Sequence, residues 1–157
     1  MEPQSKFMKM AIDLARQGMN AGAGGPFGCV IVRNGEVIAK GYNAVTSTND
    51  PTAHAEVVAI REACKNLNSY QLAGCELYTS CEPCPMCLGA IYWARPDKIY
   101  FAAGREDAAA AGFDDHFIYD EINTPIAERK IPMLAIEKDV AVKLFEEWKN
   151  KEGKTTY

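Results

Sequence analysis

CELYTSCEPCPMCLGAIYWARPDKIYFAA, residues 75–103, is the stretch whose reading decides the fold. It opens on a short strand-like run, CELYTS (75–80), and crosses a segment of cysteines and prolines. The apolar stretch CPMCLGAIYWA (84–94) then reads as a helix that ends before Pro96, and KIYFAA (98–103) as a second strand. A strand, a helix and a strand in so short a span form a crossover unit, whose two strands run parallel. Three cysteines in this unit stand three residues apart, Cys81, Cys84 and Cys87. They could be a disulfide framework, helix filler or metal ligands.

Upstream, CVIVRNGEVIA (29–39) places two β-branched runs around Asn34-Gly35, a strong hairpin signal, so one pair of strands is antiparallel and the sheet is mixed. Residues 6–19 put Phe7, Met10, Ala11, Leu14, Ala15 and Met19 on one helical stripe, with the methionines as core filler. GGPF (24–27) breaks that helix, and NAVTSTND (43–50) is a polar loop. Asp50-Pro51-Thr52 carries helix-start chemistry for HAEVVAIREACKNL (54–67). Beyond Gly104 the signals mix: an Ala-rich turn, GFDD (112–115) and FIY (117–119). IPMLAIEK (131–138) reads as a fifth strand. VAVKLFEEWKN (140–150) reads as a closing amphipathic helix that packs through Phe145 and Trp148. With no repeat or linker, residues 1–157 are expected to form one α/β domain, three layers around a mixed five-stranded sheet.

Composition narrows the function. Hydrophobic content of 48% and charged content of 24% are ordinary for a soluble globular protein. No run reaches the roughly eighteen apolar residues of a membrane span, and MEPQSKFMKM lacks the apolar region of a secretory signal. Six cysteines without a signal are expected to stay reduced in the cytoplasm. Seventeen basic against 21 acidic residues leave a net charge of −4 and no electrostatic footprint for nucleic acid. Neither a nucleic-acid nor a membrane partner is expected.

The role of the cysteines is answered thirty residues upstream, at AHAE (53–56), which follows Thr52. His54 and Glu56 stand where one helix starts, and Pro83-Cys84-x-x-Cys87 where another does. This is the His-x-Glu … Pro-Cys-x-x-Cys signature of zinc nucleobase deaminases. Residues three apart share a helix face, so Cys84 and Cys87 can reach one ion. His54 and Glu56, two apart, can both approach it only over the end of their helix, so two helix N-termini are expected to converge on the metal, where their partial positive charge favours thiolates. His54, Cys84 and Cys87 on one zinc leave a fourth position for water, whose pKa zinc lowers from about 15.7 to about 7. Glu56 is then free to move protons. Cys81 lies one step too early and lacks a preceding proline. Cys29, Cys64 and Cys75 are expected to be inert core thiols, and His116 a surface or capping residue.

The chain closely resembles the bacterial guanine deaminases of the cytidine deaminase-like superfamily. GGPFGCVIV, NDPTAHAE, YTSCEPCPMCLGAIYWARP, AAGFDDHFIY and the terminal Tyr carry the resemblance, which is weakest at the first few residues and between about 138 and 152. It implies the cytidine deaminase-like fold, one zinc per subunit and a purine base as substrate. It also implies that Asn43 reads the purine edge, that Phe27 and Trp93 flank the ring, and that Ala55 contacts the base. Asp115 would bind near the departing amine and assist proton movement beside Asp114, and Tyr157 would close over the site. A homodimer that exchanges residues from about 130 to 157 is implied as well, with NTPIAER (123–129) as a polar hinge. A tRNA adenosine deaminase, a free cytosine or cytidine deaminase, and a zinc-stabilised interaction module without catalysis stand as alternatives.

Overall fold

The computed structural model describes residues 4–157; the first three, which the single-domain expectation includes, lie outside the described residues. The chain separates into two compact units, one ending at Asp115 and the other spanning His116–Tyr157. Among the described residues no helix is long and apolar enough to cross a membrane.

The first unit is built on a mixed four-stranded sheet in the order β2-β1-β3-β4. Strands β1 (Gly28–Arg33) and β2 (Glu36–Tyr42) form the expected antiparallel hairpin. Asn34 and Gly35 take φ of 53° and 79°, the two left-handed residues that a type I′ turn demands. Strand β3 (Cys75–Cys81) pairs antiparallel with β1 and parallel with β4 (Lys98–Ala103), as the crossover predicts. All of β3 and residues 28–32 of β1 are buried. These central strands are covered on both faces, and so their sequences run apolar instead of alternating.

Helix α1 (Ser5–Asn20) covers one face, packing Phe7 and Ala11 on Val30, Val32 and Tyr78. A single turn, α2 (Val45–Thr48), leads towards α3 (Ala55–Leu67) and α4 (Pro85–Ala94), which cover the other face. Ala55, Ala59, Ala63, Ile91 and Ala94 meet Cys29, Ile31, Cys75 and Leu77 there, completing the three layers. The small side chains let helix and strand backbones touch. A Cβ on Gly41 would stand 2.6 Å from the carbonyl oxygen of Ala55, and one on Gly28 would overlap that of Ala11. Gly28→Ala is therefore expected to cost about 2–3 kcal/mol. It should be read as a lower urea midpoint at unchanged slope. A short helix, α5 (Arg105–Ala110), follows β4.

The second unit holds α6 (His116–Asn123), a 3-10 turn (Ile126–Glu128) and α7 (Lys138–Asn150). Two expectations are corrected here. Residues 131–137 are irregular instead of a fifth strand, and α7 starts at Lys138. No strand within this unit offers them an edge. Phe145 and Trp148 do not pack: they are 74% and 42% exposed, on a helix without a buried residue. An amphipathic pattern states which face is apolar, not what covers it.

Candidate active site

Two helices begin side by side on the same face of the sheet. His54 is the N-cap of α3 and Cys84 that of α4, with Pro85 opening the first turn, where a missing N–H is harmless. The Cys84 sulfur accepts the backbone N–H of Cys87 at 3.5 Å, so one cysteine caps the helix that carries the other. His54 Nδ1 lies 3.6 Å from Cys84 Sγ and 3.4 Å from Cys87 Sγ, and all three ligand atoms fall within 4.8 Å of one another. Two soft sulfurs and an imidazole nitrogen at this spacing suit tetrahedral zinc, with bonds of about 2.3 Å to sulfur and about 2.0–2.1 Å to nitrogen. The residues present fit the ion. Cys81 stands apart, its thiol donating to the Gly104 carbonyl at 3.7 Å.

The electrostatics match the geometry. A hydrogen bond from Cys87, aided by His54, lowers the Cys84 thiol to about 4, against the opposing effect of burial. Cys87 is pushed up, first by its bond to Cys84 and then by burial. The hydrogen bond with Cys84 raises His54.

Glu56, in the first turn of α3, is 6% exposed, and burial raises its pKa. Its Oε1 accepts from the Thr79 hydroxyl at 2.9 Å and its Oε2 from the Cys87 thiol at 3.4 Å. Asp115 is half-buried, raised mainly by burial, and within electrostatic reach of Cys84 and Arg105. Asp114 is exposed. Asn43 is buried in the loop after β2, its N–H donating to the Phe27 carbonyl at 3.0 Å. Its side-chain Oδ1 accepts from the backbone N–H groups of Gly25, at 3.3 Å, and Val45, at 3.1 Å. Two N–H donors require the oxygen there, so Nδ2 is what the residue has left to offer. The Ala55 side chain is part of the core.

His54, Glu56, Cys84 and Cys87 are thus brought together, with Asp115 in reach and Phe27 tied to Asn43. Trp93 lies six residues beyond Cys87 on α4 and is 63% exposed, while Tyr157 belongs to the second unit. Two site residues escaped the sequence reading. Phe113, the aromatic residue of GFDD, packs edge-on against Phe27 with centroids 5.0 Å apart. Thr79 showed no signal beyond its place in a strand.

Zinc chemistry on this fold defines a class. The chain matches the cytidine and deoxycytidylate deaminase zinc-binding region over residues 1–103 and belongs to that family. Within it, the chain is 59% identical over 151 residues to the guanine deaminase of Bacillus subtilis, covering 96% of this chain and 97% of that one. An X-ray structure of guanine deaminase from Bacillus subtilis matches with a TM-score of 0.96 and 57% identity over 99% of both chains. Likeness to the tRNA-specific adenosine deaminase of Aquifex aeolicus is 46% identity over 97 residues, 62% of this chain and 64% of that one.

Proposed function

We propose that this protein hydrolyses guanine to xanthine and ammonia, with one zinc per subunit on His54, Cys84 and Cys87. The carrying observation is the convergence of these three ligands beside a buried, unligated Glu56. Identity to a guanine deaminase across nearly the whole chain selects the substrate. Bound zinc supplies Lewis acidity, making a water molecule acidic enough to lose its proton near neutral pH. Glu56 takes that proton and returns it to the departing nitrogen. Asp115 holds the base near the leaving amine and assists the proton's path, with Asp114 beside it. Phe27 lies against the ring, Ala55 meets the base, and Trp93 closes over it together with Tyr157 of the partner subunit.

Asn43 reads the far edge of the purine. Because Nδ2 is its remaining group, it selects an acceptor. N7 is an acceptor in both purines, so the discrimination lies at position 6, where guanine presents the O6 acceptor and adenine a donor amine. Asn43→Asp keeps an oxygen for Gly25 and Val45 and removes the donor. Its kcat/KM for guanine is expected to fall about 100-fold, while zinc content is unchanged.

The test of the function is ammonia release from guanine, adenine, cytosine and their nucleosides by the zinc-loaded protein. Inertness to guanine alongside turnover of another base would overturn it. The tRNA reading predicts inosine formation in an anticodon stem-loop, weakening steeply with salt; the net charge of −4 argues against it.

Residues 130–157 are exchanged between two copies in this proposal, and the chain acts as one functional domain per subunit in the reducing cytoplasm. Supporting the exchange, β4 is an edge strand, and Ile131, Leu134 and Ile136 form an exposed, strand-length apolar segment. Added to β4 of a second copy, that segment would make the fifth strand, with Tyr157 carried towards the partner's site. Equilibrium sedimentation is expected to give the dimer mass for the full chain and the monomer mass after removal of residues 130–157.

A further inference from the structure

We infer that Thr79 is a positioning residue for deamination: its hydroxyl anchors one oxygen of Glu56 so that the other faces the reaction. The inference rests on the function proposed above. Along β3 the side chains alternate between faces, so Thr79 shares a row with Cys75 and Leu77 beneath α3 and α4. Those two neighbours are fully buried core residues, and Thr79 itself is 1% exposed. Valine would fill the same volume with the same branched shape. The hydroxyl is the departure from an apolar row, and a buried hydroxyl must be paired. Its partner is Glu56 Oε1 at 2.9 Å.

The two oxygens of Glu56 therefore have different surroundings. Oε2 faces the Cys87 sulfur, on the side of the metal ligands, while Oε1 is turned back onto the strand. A Cys87 that serves as a thiolate ligand has no proton left to donate, which removes its bond to Oε2. The Thr79 bond survives that change, because it uses neither metal ligand. It also comes from a rigid base. Thr79 pairs in register with Cys29 of β1 on one side and Phe101 of β4 on the other. Glutamate has three side-chain torsions, and one fixed oxygen leaves the second little freedom to stray. A proton acceptor held within reach of its target reacts more often than one that samples several positions.

Thr79→Val, Thr79→Ser and Glu56→Gln compared with wild type test the assignment. In Thr79→Val, kcat for guanine is expected to fall about 10- to 100-fold, the usual range for a residue that orients a metal-site group. KM should stay within about twofold and zinc should remain one per chain, while the melting temperature reports separately what the lost partner of the buried Glu56 Oε1 costs in stability. Thr79→Ser should restore kcat to within about threefold, because it keeps the hydroxyl. Wild-type kcat in Thr79→Val, beside an inactive Glu56→Gln, would overturn the Thr79 assignment and leave the function standing. So would a loss that follows zinc release or a raised KM, or a serine variant that rescues nothing. A wild-type protein that makes no xanthine overturns the proposed function itself, and the Thr79 assignment with it.

Discussion

Glu56→Gln is expected to release ammonia from guanine about 10³- to 10⁴-fold more slowly than wild type while holding one zinc per chain. Glutamine has the shape of glutamate and can still accept the Thr79 hydroxyl through its amide oxygen, now bonded at 2.9 Å to Oε1. What it cannot do is take a proton from water. The same group is asked to collect the proton and to deliver it, so both transfers fail together. Stability is expected to hold or rise, because a carboxylate 6% exposed is exchanged for a neutral amide. Turnover close to wild type would mean that the zinc serves structure or partner binding and that no deamination passes through Glu56.

Cys87→Ala is expected to lose the metal and all measurable turnover. Structural zinc sites with a full complement of ligands bind with about 10–16 kcal/mol. Loss of one of three protein ligands is therefore expected to weaken binding by several kcal/mol, on the order of a thousandfold or more. Dialysed protein should carry less than about a tenth of an equivalent of zinc, measured by mass spectrometry of the metal. Cys81→Ala is the matching control and should keep its zinc, since that thiol is turned to the Gly104 carbonyl. The reverse pattern would show that the wrong pair of cysteines had been chosen. Chelation of the wild-type protein should also lower its melting temperature, because an ion that binds only the folded state adds its binding energy to stability.

What could be read from the chain beforehand was local. Asn34-Gly35 announces its turn by backbone preference alone, and Pro83-Cys84-Pro85 marks a helix start with its ligand already in place. The metal cluster followed because each ligand's residue type matches its position at a helix end. Contacts made by strand register were not legible. Thr79 and Glu56 are 23 residues apart, and only the side of β3 on which Thr79 falls brings them together. Nor could sequence reveal that Asn43 spends its oxygen on Gly25 and Val45, which depends on how two loops pass each other. The strand expected at 131–138 and the packing of Phe145 and Trp148 misled for another reason. Apolar patterning records a need for burial, and these segments do not meet it within their own unit.

The near-contact of Gly41 with the opening turns of α3 bears on any attempt to retarget this catalyst. Ala55, Ala59 and Gly41 set the helix on the sheet backbone to backbone, with the Val58 Cβ also close by, so little there can give way to a change. The proton carrier one residue along is thus held like a tool in a vice. Libraries that enlarge this seam would displace it, whereas Asn43 and Phe27 sit in loops free of that clamp. New specificity should be sought in those loops.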